Sequence, residues 1–184
     1  MSGEDPWLVV IDPQRIFADP TSDWCAPRFD ETVPPIDRLA TAFGERVIVT
    51  RWLPSAVHEG SWGEYFQRWT FADRPADDPL FDLVDAARGW VRRPTLDVTT
   101  FGKWGPGLTA VTGPTPHLVL AGVATDCCVV STALAAADAG AWVQVVPEAV
   151  AGSDDTNQAA ALQVMGLFGP QIEVIGVEEL LAAR

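Results

Sequence analysis

Lysine is almost missing from this sequence. Its 184 residues include 12 basic ones, and Lys103 is the only lysine among them. Positive charge is scarce as a whole: 25 acidic residues leave a net charge of −13. Such a surface repels phosphate backbones, so nucleic acid is not an expected partner. Three cysteines, two of them adjacent, do not make a disulfide framework. There are two histidines, His58 and His117. No apolar run approaches the roughly 20 residues of a membrane helix. The first residues, MSGEDPW, lack the basic-then-apolar pattern of a secretion signal. A cytoplasmic protein with no membrane partner is the expectation.

What is present is an ordinary globular composition, 48% apolar and 20% charged. The length suits one domain over residues 1–184. Short continuous apolar runs, each the pattern of a strand buried on both faces, occur at Trp7–Ile11, Arg46–Thr50, His117–Ala121, Trp142–Val146 and Ile172–Ile175. A further short strand is read at Trp90–Arg92. Helical spacing occupies Val33–Phe43, Leu80–Arg88, Asp126–Ala139 and Asp154–Phe168, with part of another helix at Leu108–Val111 and a short one at the C-terminus. Residues 54–79 read as a long irregular loop rich in tryptophan and proline, and loops of that length are often functional.

Strands alternating with helices predict an α/β fold. The expected form is a three-layer sandwich with a mostly parallel, six-stranded, Rossmann-like sheet flanked by helices. Ligands in such folds bind beyond the carboxyl ends of the strands. Three places qualify: after Ile11, after Thr50 and after Ala121. The first carries Asp12, which taken alone could also be a turn former. The third carries Thr125 and Asp126, either of which can cap the following helix, and then Cys127 and Cys128 in its first turn. Free N–H groups and the helix dipole there favour an anion and lower a thiol's pKa. Buried cysteines are also common as small hydrophobes.

Taken together, VVID-x-Q at the first strand and GVATD-x-C before STALAAADAG resemble the isochorismatase-like cysteine hydrolase superfamily. The resemblance runs from Trp7 to the strand at Ile172. It implies a catalytic Asp–Lys–Cys triad. Asp12 matches the aspartate, and Cys128, the second cysteine of GVATDCC, matches the nucleophile. For the lysine, simple register points to Arg93, but an arginine is bulkier and practically never neutral. Lys103, ten residues on, is the choice as the chain's only lysine. The resemblance further implies an oxyanion hole from the Ala124 and Cys128 N–H groups and a cis peptide between Val123 and Ala124. Pocket rings are expected from Phe17 and Trp104, with Trp52, Trp62, Tyr65 and Trp69 crowding the nearby loops.

The sequence departs from the superfamily's nicotinamidases. Their D-x-H-P-x-x-H-like metal motif is replaced by Arg51-Trp52-Leu53-Pro54, leaving His58, read as a solvated loop residue, with no companion ligand. No metal and no cofactor are therefore expected, and Cys25 is given no role. The implied function is metal-independent cleavage of a C–N bond in a small amide or ureide through an acyl-enzyme, by a homo-oligomer. The alternatives are vinyl-ether hydrolysis of the isochorismatase type, against which Cys128 argues, and a catalytically silent member that binds a small molecule.

Overall fold

The computed structural model describes residues 5–184. Six strands form one sheet in the order β3-β2-β1-β4-β5-β6, and every neighbouring pair is parallel. The strands are β1 (Trp7–Ile11), β2 (Val47–Trp52), β3 (Leu96–Val98), β4 (His117–Val123), β5 (Trp142–Ala151) and β6 (Ile172–Val174). Seven α-helices accompany them: α1 (Arg15–Ala18), α2 (Phe29–Phe43), α3 (Ser61–Arg68), α4 (Pro106–Thr112), α5 (Val130–Asp138), α6 (Asp155–Gly166) and α7 (Val177–Ala182). None of the described helices is long and apolar enough to cross a membrane.

Strand side chains alternate between two buried layers, as the pleat requires. Leu8 and Val10 of β1 pack with Ile36, Leu39 and Phe43 of α2 and with Leu180 of α7. Val9 and Ile11 face the other way, onto a cluster that includes Ala133 of α5 and Met165 of α6. Both faces are thus covered, which is why the strands read as unbroken apolar runs. A third cluster, with Ile16, Phe17, Trp52, Phe66 and Phe81, covers the carboxyl end of the sheet.

Several local expectations are corrected. Leu80–Arg88 is not one helix but parts of two 3₁₀ turns, Pro79–Phe81 and Asp85–Gly89. The chain between them is drawn against the segment after β1: Val84 N–H donates to Pro13 O, and Leu83 bridges Gln14. Trp90–Arg92 is not a strand. The Trp90 ring is buried, and its indole N–H donates to Asp37 of α2. The edge strand is Leu96–Val98, paired with Thr50, Arg51 and Trp52. The loop at 54–79 contains helix α3, anchored by buried Phe66.

Candidate active site

β1 and β4 are neighbours at the middle of the sheet, where the connections diverge to its two sides. The crevice above that point is the usual ligand position in such sheets. Asp12 follows β1 directly and is fully buried, with φ at 48°. That left-handed conformation is uncommon outside glycine, though aspartate tolerates it better than most residues. Thr50, at the same level of β2, holds the carboxylate: its Oγ1 donates to Asp12 Oδ1 at 2.6 Å and accepts from Asp12 N–H at 3.1 Å.

Lys103 lies in the segment after β3, and its Nζ is 2.7 Å from Asp12 Oδ2. Both side chains are wholly buried, and Nζ also donates to Thr100 O at 3.1 Å. Arg93 is elsewhere. Its guanidinium donates to Glu45 O and lies 4.8 Å from the centre of the Trp7 ring, at the amino end of β1. The ten-residue displacement of the lysine therefore follows from the true place of β3: Lys103 leaves the carboxyl end of that strand, whereas Arg93 precedes it.

Ala124 and Cys128 come from the end of β4 and the turn after it. The Val123–Ala124 peptide is cis. Residues Thr125–Val129 form a π-helical turn in which Val129 N–H donates to Ala124 O at 3.0 Å, and α5 proper begins only at Val130. Neither Thr125 nor Asp126 caps this turn with its side chain. Asp126 instead reaches across to Ser153, accepting from its N–H at 2.8 Å and from its hydroxyl at 2.6 Å. Thr132, one turn into α5, ties the two halves together: its Oγ1 donates to Cys128 O at 2.6 Å and accepts from Lys103 N–H at 2.9 Å.

The close approach of β4 to β1 needs Gly122. Its φ is +99°, and a Cβ there would meet Ile11 O at 2.1 Å. Any side chain would push apart the two strands that carry Asp12 and Cys128.

The thiols differ from the dipole-based expectation. A hydrogen bond with Cys127, complete burial and the Asp12 carboxylate push the Cys128 thiol well above its usual range, while the Lys103 ammonium opposes them. Cys127, half-buried, is held below its usual value by the same sulfur–sulfur hydrogen bond, against burial and Asp126. The two thiols titrate as a pair. Because the ion pair of Asp12 and Lys103 is neutral as a unit, it supplies no net charge to hold a resting thiolate on Cys128.

Above these residues opens a cavity of about 350 Å3. Its aromatic wall is Phe17, Trp24, Trp52, Tyr65, Trp69 and Phe101. Cys127, Cys128 and Ala124 contribute to the lining, as does Cys25 from the loop after α1. Trp104 does not line this cavity. It lies over a separate depression beside Leu96 and Leu108 and packs on the core under α5. Phe101, two residues before the lysine, reaches the cavity, and Trp104, the residue after it, does not. Trp24 was not singled out by the sequence. It contacts Phe17, Trp52, Tyr65 and Trp69 at centroid distances of 5.3–6.2 Å.

The residues at the nicotinamidase metal position do not fit a metal. Arg51 points its guanidinium at Asp97, with Nε 2.9 Å from Oδ1. His58 is not a solvated loop residue: it stacks on Phe66 at 4.2 Å and sits 3.2 Å from Asp73 Oδ1, anchoring the segment before α3. Among the described residues no group of three or more His, Cys, Asp and Glu side chains is arranged to hold an ion.

Comparison with solved structures finds the same fold repeatedly. A cysteine hydrolase from Pseudomonas syringae pv. phaseolicola 1448A superposes with a TM-score of 0.78 at 18% identity, over 96% of this chain and 91% of that one. N-carbamoylsarcosine amidase from Thermoplasma acidophilum gives 0.70 at 21% identity, over 96% and 98%. The zinc complex of pyrazinamidase from Pyrococcus horikoshii gives 0.65 at 21% identity, over 94% and 99%. Comparison with curated proteins gives no significant match. The profile of the isochorismatase domain matches residues 6–178. Because that match runs from the approach to β1 into α7, the chain belongs to the isochorismatase family.

Proposed function

We propose that this protein is a metal-independent cysteine hydrolase that cleaves the C–N bond of a small amide or ureide. The observation that carries the reading is the buried ion pair of Lys103 with Asp12, lying in the electrostatic reach of Cys128 at the base of an aromatic cavity. Asp12, held by Thr50 through Oδ1 and by Lys103 through Oδ2, is the candidate base. The Cys128 thiol, pushed up by its neighbours, passes its proton to Asp12 as Sγ attacks the carbonyl. Lys103 keeps the carboxylate in position and offsets the charge that develops on the sulfur. The Ala124 and Cys128 N–H groups are the candidate donors to the tetrahedral oxyanion.

Collapse of the tetrahedral intermediate breaks the C–N bond, and the proton held by Asp12 leaves with the amine. Water then attacks the thioester, gives up a proton to Asp12 and releases the acid. Cys128 recovers its proton in that step. Amides are supported over vinyl ethers by the thiol itself, since acid-catalysed ether cleavage has no use for it.

The test is a screen of small amides and carbamoyl compounds with ammonia detection, with Cys128→Ala as control. Ammonia release lost in that variant is the expected result. A vinyl-ether hydrolase and a silent binding protein would both release no ammonia in either form, and turnover of a vinyl-ether probe by Cys128→Ala would mark the first.

A further inference from the structure

The charge of the pocket lining points to the kind of amide it takes. Two carboxylates, Asp23 and Asp126, line the cavity, and no arginine, lysine or histidine does. Among the described residues neither carboxylate forms an ion pair. Asp23 is exposed at the rim. Asp126 is half-buried, and its partners from Ser153 are neutral donors that leave its charge uncompensated. The one ammonium nearby, Lys103, is spent on Asp12. Arg68 lies 5.4 Å from the centre of the Trp69 ring and is not in the lining. An anionic substrate would find no counter-ion in this lining, and would enter against a net protein charge of −13.

The rest of the lining suits a cation. Indole and phenol faces attract one through the ring quadrupole, most strongly where water is excluded. Five of the six wall rings, Phe17, Trp24, Trp52, Tyr65 and Trp69, lie in a connected cluster centred on Trp24, the neighbour of Asp23. An aromatic cage with a carboxylate at its rim is the usual construction for an alkylammonium group.

We infer, on the footing of the amide-hydrolase reading, that the substrate is a small amide whose acyl part carries an ammonium group. That group sits among Trp24, Tyr65 and Trp69 beside Asp23, while the carbonyl is presented to Cys128. The chemistry at the carbonyl is unchanged: the Sγ–C bond forms, ammonia leaves, and water releases a zwitterionic acid.

Three probes separate charge from shape: (trimethylammonio)acetamide, its neutral carbon isostere 3,3-dimethylbutanamide, and anionic succinamate. With ammonia release as readout, kcat/KM for the cation should exceed that of the isostere by about tenfold or more, with succinamate slowest. Asp23→Asn should shrink the cation-to-isostere ratio several-fold, and Trp24→Leu should do the same. Binding of the same probes to Cys128→Ala, or to Cys128→Ser should the first fail to fold, is followed by tryptophan fluorescence. This arm does not depend on turnover. Cation-selective binding without hydrolysis of any probe would end the hydrolase reading and keep the pocket's preference. Hydrolysis or binding that ignores the charge, or a preference for succinamate, would overturn the inference, as would failure of every probe to bind.

Discussion

Lys103 Nζ stands 2.7 Å from Asp12 Oδ2, and neither side chain reaches solvent. A buried pair of this kind is a weak source of stability by itself, because both ions are desolvated, but removing one partner strands the other. Lys103→Met should lower unfolding free energy by about 3–5 kcal/mol, measured by denaturant titration. The double variant Asp12→Leu/Lys103→Met should recover most of that loss and remain inactive. Recovery of stability with activity would show that the pair serves structure alone.

The two neighbouring thiols should separate chemically. Cys127→Ala should keep a substantial part of amide turnover, and Cys128→Ala should lose it almost entirely. Near neutral pH, iodoacetamide should label half-exposed Cys127 ahead of Cys128, because the Cys128 thiol is pushed up by its hydrogen bond with Cys127, by burial and by Asp12. Mass spectrometry of peptides from a time course checks the order. Faster labelling of Cys128 would mean a resting thiolate and a different first step.

Thr132 is a positioning residue, bound to the backbone of both Cys128 and Lys103. Thr132→Val should reduce kcat by about tenfold or more, since losing either bond lets the reacting groups drift. Thr132→Ser, which keeps the hydroxyl, should restore most of it. Equal loss in both variants would assign the effect to packing of the methyl group.

Gly122→Ala should be among the costliest single substitutions. The new methyl would meet Ile11 O at 2.1 Å in a backbone conformation unfavourable to alanine. A loss of about 2 kcal/mol or more is expected in denaturant titration, together with loss of activity. A neutral result would mean that β1 and β4 separate more freely than their packing indicates.

Stability should also depend on pH through His117. Burial lowers its pKa, with the Gln144 hydrogen bond and Glu173 opposing. The folded protein therefore takes up this proton at lower pH than the unfolded chain, whose value is about 6.5. The contribution is fully present above about 6.5 and is lost as pH falls through the lower, folded value. Melting temperature recorded from pH 8 to pH 5 should fall less in His117→Gln than in the parent protein.

Strands and site were legible to different degrees. β1, β4 and the first half of β5 could be read because each is an apolar run with buried neighbours on both sides. β3 could not: Leu96–Val98 carries Asp97 and owes its place to pairing with β2 and to the Arg51–Asp97 contact. Simple register against the family pattern points to Arg93, which precedes β3, whereas Lys103 follows it. α3 went unseen because its Trp62–Tyr65–Phe66 spacing sits within only eight residues inside a loop rich in tryptophan and proline, with Phe66 its one buried anchor. Trp24 gave no signal, since nothing in a Pro-flanked loop tells a wall ring from a surface one. Trp104 was chosen by nearness to Lys103, and nearness in sequence does not fix which cavity a ring lines.

By itself the sequence determined the alternating α/β order, the strand-end positions of Asp12 and Cys128, and the scarcity of cations that makes Lys103 conspicuous. These are local properties of composition and period. Tertiary structure alone decided that Lys103 meets Asp12, that burial pushes the Cys128 thiol up, and that the pocket wall is aromatic and acidic. Each of those depends on which distant segments pack together and exclude water, and burial sets the strength of every charge involved.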